Sequence, residues 1–159
     1  MAINLSTAGV KIWYAVEATA GTRPTSGYTR IRGIKSIPSL NPAPDTLETT
    51  TLDETKFKTY IDGLKDLGGA LEFTFNLTEE LIDVWETLMD AYEAGKLVNK
   101  STWFCITIPG LTKAYYFTGN PSEMGLPEIE VNTVLETTNY ITPTNEPAKY
   151  DKPSEAISG

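Results

Sequence analysis

The side chains here that could do chemistry are carboxylates, hydroxyls and one thiol. Glu79 with Glu80, and Asp62 with Asp66, are the kind of paired acids that general acid–base or glycosidic chemistry would use. Their spacing puts them on helix or loop surfaces, and nothing in the sequence aims either pair at a shared cleft. There is no histidine, which removes the commonest general base, the commonest metal ligand and the Ser-His and Cys-His nucleophile pairs. Cys105 is the only cysteine. It lies in the apolar run Trp103-Phe104-Cys105-Ile106, where a small buried hydrophobe is expected, and alone it can form no intrachain disulfide. Thr49-Thr50-Thr51 and Thr137-Thr138 read as β-formers rather than nucleophiles. No phosphate-cradling glycine loop, GxSxG elbow, HExxH pair or EF-hand loop is present. No enzyme, metal site or cofactor is expected.

Charge narrows the partners. Thirteen Lys and Arg against 21 Asp and Glu leave a formal net charge of −8. Binding nucleic acid through its phosphates requires Lys and Arg to displace counterions, so an acidic chain could meet nucleic acid only as a surface that repels it. Arg30, Arg32 and Lys35 form a local basic spot, expected to be solvated residues balancing the acids. The N-terminal residues have neither the basic start nor the apolar stretch of a signal peptide, and no run approaches the ~20 apolar residues that span a bilayer. A soluble protein made in a cytoplasm, with no membrane partner, is expected.

With 159 residues, 40% of them hydrophobic, the chain fits one domain with a single core. Residues 1–9 lack periodicity and read as an N-terminal arm. Residues 11–18 alternate, with Ile12, Tyr14 and Val16 on one face, and predict a half-buried strand. A loop at 21–27 precedes a second strand over 28–37. Pro38, Pro42 and Pro44 then interrupt any central strand. The Thr-rich segment after them has few large apolar residues, so a long polar hairpin or loop (41–58) standing off the domain is expected, with 56–64 returning from its tip. Gly69 to Leu77 alternates cleanly, with Leu71, Phe73, Phe75 and Leu77 on one face and Glu72, Thr74 and Asn76 on the other.

Residues 79–94 predict the one helix, capped by Thr78 and ended by Gly95 and Lys96. Leu81, Val84, Trp85, Leu88 and Tyr92 form its apolar stripe, placed to pack on a sheet. Two strands, 102–108 and 113–118, flank the turn at Pro109-Gly110. A loop at 120–127 leads to the longest expected strand, 129–142. That strand puts Ile129, Val131, Thr133, Leu135 and Ile141 on one face and Glu130, Asn132, Val134, Glu136 and Thr138 on the other. Residues 143–159 read as an extended C-terminal arm. The expected fold is mainly β (α+β), an antiparallel β-sandwich or part-barrel of roughly six to eight strands with one packed helix. Strands with one apolar and one polar face suit a wall with water on one side, and coreless arms suit assembly.

Several segments in this order resemble one family: residues 9–15, Gly-Val-Lys-Ile-Trp-Tyr-Ala; residues 31–38, Ile-Arg-Gly-Ile-Lys-Ser-Ile-Pro; Thr51-Leu52-Asp53; residues 58–66, with Tyr60, Gly63, Leu64 and Asp66; and residues 69–75. The order is similar to that of the major tail tube proteins of long, non-contractile-tailed phages, over most of residues 9–142. The resemblance implies a structural virion protein, assembled in the host cytoplasm, whose hexameric rings stack into the tail tube that conducts DNA during ejection. Its implied partners are further copies of itself and the tape measure, tail terminator and distal tail proteins. Asp45 to Lys58 would be the inter-ring loop, with Asp45, Glu48, Thr50, Leu52, Asp53 and Lys56 as its contacts, and both termini would serve as arms. The optional immunoglobulin-like domain of that family is not expected after residue 159.

Six copies giving four strands each, tilted about 40° at 4.8 Å spacing, would close at a backbone diameter of roughly 48 Å and leave roughly 38 Å clear. That admits a DNA duplex. Glu72, Thr74, Asn76, Glu130, Asn132, Glu136 and Thr138 are the expected lumen face, where carboxylates repel phosphates and DNA passes without specific binding. The alternatives are the inner tube of a contractile tail or tail-like bacteriocin, and a monomeric β-sandwich binding module. The module would need clustered exposed aromatics, whereas Trp13, Trp85 and Trp103 fall in apolar or alternating runs.

Overall fold

Local signals start the main helix, and packing sets where it stops. In a computed structural model describing residues 4–41, 43–53, 56–66 and 69–157, helix α1 spans Glu79–Lys96. The Thr78 hydroxyl accepts from the Leu81 backbone N–H at 3.1 Å, and Glu79 and Glu80 occupy the positive end of the helix dipole. Leu81, Trp85 and Leu88 are fully buried, so the expected stripe does face the sheet. Gly95 does not end the helix but lies inside it. A Cβ there would sit 2.9 Å from Val16 Cγ1 and 3.1 Å from the Lys100 carbonyl, so the absent side chain is what lets the helix close on the strand beside it. The left-handed residue that turns the chain is Asn99, at φ 59°.

The described residues form ten strands besides this helix: β1 (Lys11–Val16), β2 (Thr29–Ile31), β3 (Ile34–Ser36), β4 (Ala43–Glu48), β5 (Tyr60–Asp66), β6 (Leu71–Asn76), β7 (Thr102–Thr107), β8 (Lys113–Pro121), β9 (Glu136–Pro143) and β10 (Ala148–Asp151). A short helix α2 (Ser154–Ile157) follows. All pairings are antiparallel, in the order β2-β1-β7-β8-β9-β6-β3, with β10 added beside β8. β4 and β5 form a separate two-stranded sheet. The main sheet curls into a half-barrel around one core, as the expected sandwich or part-barrel requires. Phe117 stacks on Phe104 at 5.4 Å and on Phe73 at 6.5 Å, and Phe75 meets Trp85 edge-on at 6.0 Å. Each such ring contributes roughly 1.5–3 kcal/mol by burial.

Four expectations are corrected. The strand at 28–37 is two strands, split at Gly33 (φ +86°): β2 pairs with β1 and β3 with β6, so consecutive residues occupy the two ends of the strand path. The Gly33 carbonyl accepts from Asn76 N at 2.8 Å, which holds the corner shut. Strand β1 is buried on both faces rather than half-buried. Trp13 and Ala15 lie under a second cluster with Tyr28, Cys105, Ala114 and Tyr116, and Cys105 is the buried hydrophobe expected.

Residues 129–135 are not strand. Their ladder partner β6 ends at Asn76 opposite Glu136, and after one more bond, Leu77 N to Leu135 O at 3.0 Å, the chain turns into α1. Ile129, Val131 and Val134 consequently stand 65%, 85% and 70% exposed. Residues 143–157 are not an extended arm: β10 continues β9 along β8, and α2 follows. The Glu155 carboxylate accepts from the backbone N–H groups of Gly27 and Tyr28, and the Arg23 guanidinium lies over the rings of both Tyr116 (4.7 Å) and Tyr150 (4.2 Å). In the N-terminal segment, Leu5 approaches the Pro109-Gly110 turn.

Candidate functional site

The β6–β9 ladder presents the polar face expected of it. Glu72 pairs with Tyr140, Thr74 with Thr138 and Asn76 with Glu136. Because side chains alternate along a strand, these six share the face opposite buried Phe73, Phe75 and Ile141. Gly119 allows β9 to reach β8, since a Cβ there would lie 2.7 Å from Ile141 Cγ2.

The loop 122–135 arches over this face and encloses an open cavity of about 800 Å³, lined by Thr74, Glu136, Thr138 and Tyr140 from the sheet and by Glu128, Glu130 and Val134 from the loop. Glu130 thus reaches the same space as Thr74 and Thr138, but from a turn, where its carbonyl accepts from Thr133 Oγ1 at 3.1 Å. Asn132 occupies that turn at φ 57°, away from the strand on which it was expected. Two of the three residues of the basic spot are paired: Arg32 Nε meets Glu80 at 3.5 Å, and Lys35 forms an ion pair with Glu136, whereas Arg30 Nε is buried with no hydrogen-bond partner among the described residues. Glu72, Glu128 and Glu130 have no ion-pair partner among the described residues and carry the uncompensated negative charge on this side.

The segment 41–58, expected as a polar hairpin or loop, contains strand β4 and the turn that leads to β5. Leu47 pairs with Ile61 and Glu48 with Tyr60, with a register shift between Pro44 and Thr46. Hydroxyls extend the ladder: Thr59 N donates to Thr50 Oγ1 at 2.7 Å, and Thr49 Oγ1 to Thr59 Oγ1 at 2.9 Å. The hairpin exposes Leu47, Leu52, Phe57, Tyr60 and Ile61. Glu48, Leu52, Asp53 and Lys56 are likewise exposed, and Thr50 is half-buried. Asp45 belongs to β4 by its backbone, and its side chain lies outside the described residues.

One carboxylate escapes sequence reasoning. Glu17, placed by alternation on a polar face, is only 4% exposed. Its Oε1 accepts from Gly21 N and Ser101 N, both at 2.9 Å, and its Oε2 from the Trp103 indole at 2.8 Å. Burial alone would raise this carboxyl, but the three hydrogen bonds to its ionised form outweigh burial and hold it below the usual range. It staples the end of β1 to the start of β7. Burial pushes the Cys105 thiol up to about 12, far from nucleophilic.

Among the described residues no group of three or more His, Cys, Asp or Glu could hold a metal ion, and no helix is long and apolar enough to cross a membrane. No protein-family model and no curated protein matches the sequence. The fold is similar to that of a chain in the cryo-EM structure of the anti-feeding prophage (AFP) baseplate, 6-fold symmetrised: TM-score 0.62 at 9% identity, covering 95% of this chain and 98% of that one.

Proposed function

We propose that this chain is a phage tail tube subunit, polymerising as stacked hexameric rings into a conduit for DNA. The observation that carries the reading is a β-hairpin that pairs with no other strand among the described residues and exposes five large apolar side chains. Fully burying each such side chain is worth roughly 1.5–3 kcal/mol, which a further copy of the chain would supply. The curled sheet adds to this, with a core on one face and Glu72, Thr74, Asn76, Glu136 and Thr138 on the other, a suitable wall for a water-filled bore. In the tube this face, with Glu130 and Asn132 from the loop over it, lines the lumen and repels passing phosphates.

The fold it shares with a chain of a six-fold symmetrised prophage baseplate supports a place in a ring-shaped assembly. The subunit works through shape and assembly rather than catalysis. Its further partners are the tape measure, tail terminator and distal tail proteins, and its location is the virion tail, assembled in the host cytoplasm. Electron microscopy of concentrated protein tests the reading. Rings or tubes with six-fold symmetry are expected, and a species that stays monomeric at every concentration would reject it.

A further inference from the structure

We infer that the descending limb of one copy's hairpin, Lys56-Phe57-Lys58, seats in the groove between α1 and residues 123–127 of the next copy, an inference resting on the tube reading. That groove, of about 480 Å³, has apolar lining from Ile82, Met89 and Met124 and acidic lining from Glu86, Asp90 and Glu123. All three acids are exposed, and none has an ion-pair partner among the described residues. Methionines suit such a receiver, because their unbranched side chains adapt to an incoming ring. Phe57 is 74% exposed and is flanked on both sides by lysine, an aromatic knob between two cations facing an apolar hole among three anions. The charges match in sign, which sets register and orientation.

Placement along β6 agrees. The hairpin leaves the chain just before Leu71, the first residue of β6, whereas the groove begins at Leu77, just past its last residue. The base of the hairpin and the groove therefore lie at opposite ends of a strand about 20 Å long. Donor and receiver are different surfaces of the chain, so their contact is head-to-tail and propagates from copy to copy instead of closing a dimer.

The test is cysteine trapping in the full chain. Native Cys105 is fully buried and stays silent. Tubes of Phe57→Cys/Met124→Cys, once oxidised, should run as a ladder of covalent multimers on a non-reducing gel, absent from either single variant. Tubes that form normally but give no ladder would overturn the groove assignment and leave the tube reading standing. Absence of tubes from the unmodified chain would overturn both. Charge exchange provides a second readout on exposed positions that folding does not need. Lys58→Glu should raise several-fold the concentration at which tubes appear, and adding Glu123→Lys should restore it. A double variant as impaired as Lys58→Glu alone would also overturn the assignment.

Discussion

Replacing Glu17 by glutamine keeps the size of the side chain and changes only which hydrogen bonds it can make. One glutamine oxygen can still accept from Gly21 N and Ser101 N, but the amide nitrogen then points its hydrogens at the Trp103 indole N–H, which is also a donor. Flipping the amide satisfies the indole and leaves two backbone donors unpaired instead. At least one buried donor is orphaned either way, costing about 1–3 kcal/mol, and the bonds that remain lose the strength a charged acceptor lends them. A destabilisation of about 2 kcal/mol follows, lowering Tm by roughly 4–8 °C in a domain of this size.

The pH dependence has a definite sign. The folded Glu17 carboxyl titrates below its unfolded value, so the unfolded chain takes up the proton first as pH falls. This contribution is complete above the unfolded value of about 4.3 and fades as pH drops through the folded one. The gap between the native protein and Glu17→Gln should therefore narrow on acidification from pH 6. Urea unfolding of the dilute monomer as a function of pH measures both effects. In a Trp103→Phe background, where the indole donor is gone, the glutamine should cost distinctly less. A Glu17→Gln penalty below about 0.5 kcal/mol, or a gap that does not change with pH, would refute the staple.

Gly119→Ala should destabilise by roughly 1–3 kcal/mol, since its Cβ would fall 2.7 Å from Ile141 Cγ2, and should cost less in an Ile141→Ala background; chemical denaturation checks both. Deleting residues 46–56 should leave a folded monomer, by circular dichroism, that no longer polymerises, and unimpaired tube growth would reject the inter-ring role. Lysine at Glu72, Glu130 and Glu136 together should still permit tubes but slow DNA delivery, scored by infection.

What the sequence disclosed was what local chemistry determines. Helix α1 was legible from Thr78 to its apolar stripe, because capping and 3.6-residue spacing act over a few residues. The two faces of β6 were legible by the same locality. Nothing local reveals which strand pairs with which, so the division of 28–37 at Gly33 between the two ends of the sheet stayed hidden. The cover over Trp13 and Ala15 comes from Tyr28, Ala114, Tyr116 and Ala156, too far along the chain for alternation to register. Residues 129–135 misled for a related reason: their β pattern is real, but their ladder partner had already become a helix. Of the candidate lumen residues, those on the strands were placed correctly on one face, whereas Glu130 and Asn132 were assigned to a strand they do not occupy. Glu17 offered no signal, since one acidic residue in an alternating run reads as solvated.

The corner at Gly33 bears on aggregation. Unpaired strand edges recruit other chains indiscriminately, and the proposed function, which keeps the chain monomeric until ordered growth, would expose it to that hazard. The terminal strands of the curled sheet, β2 and β3, are three residues each, and β10 is four. The first two are joined through Arg32 and Gly33 and cannot splay apart separately. Such short, tethered edges offer little template for amyloid-like stacking, and association is left to the surfaces that carry specificity.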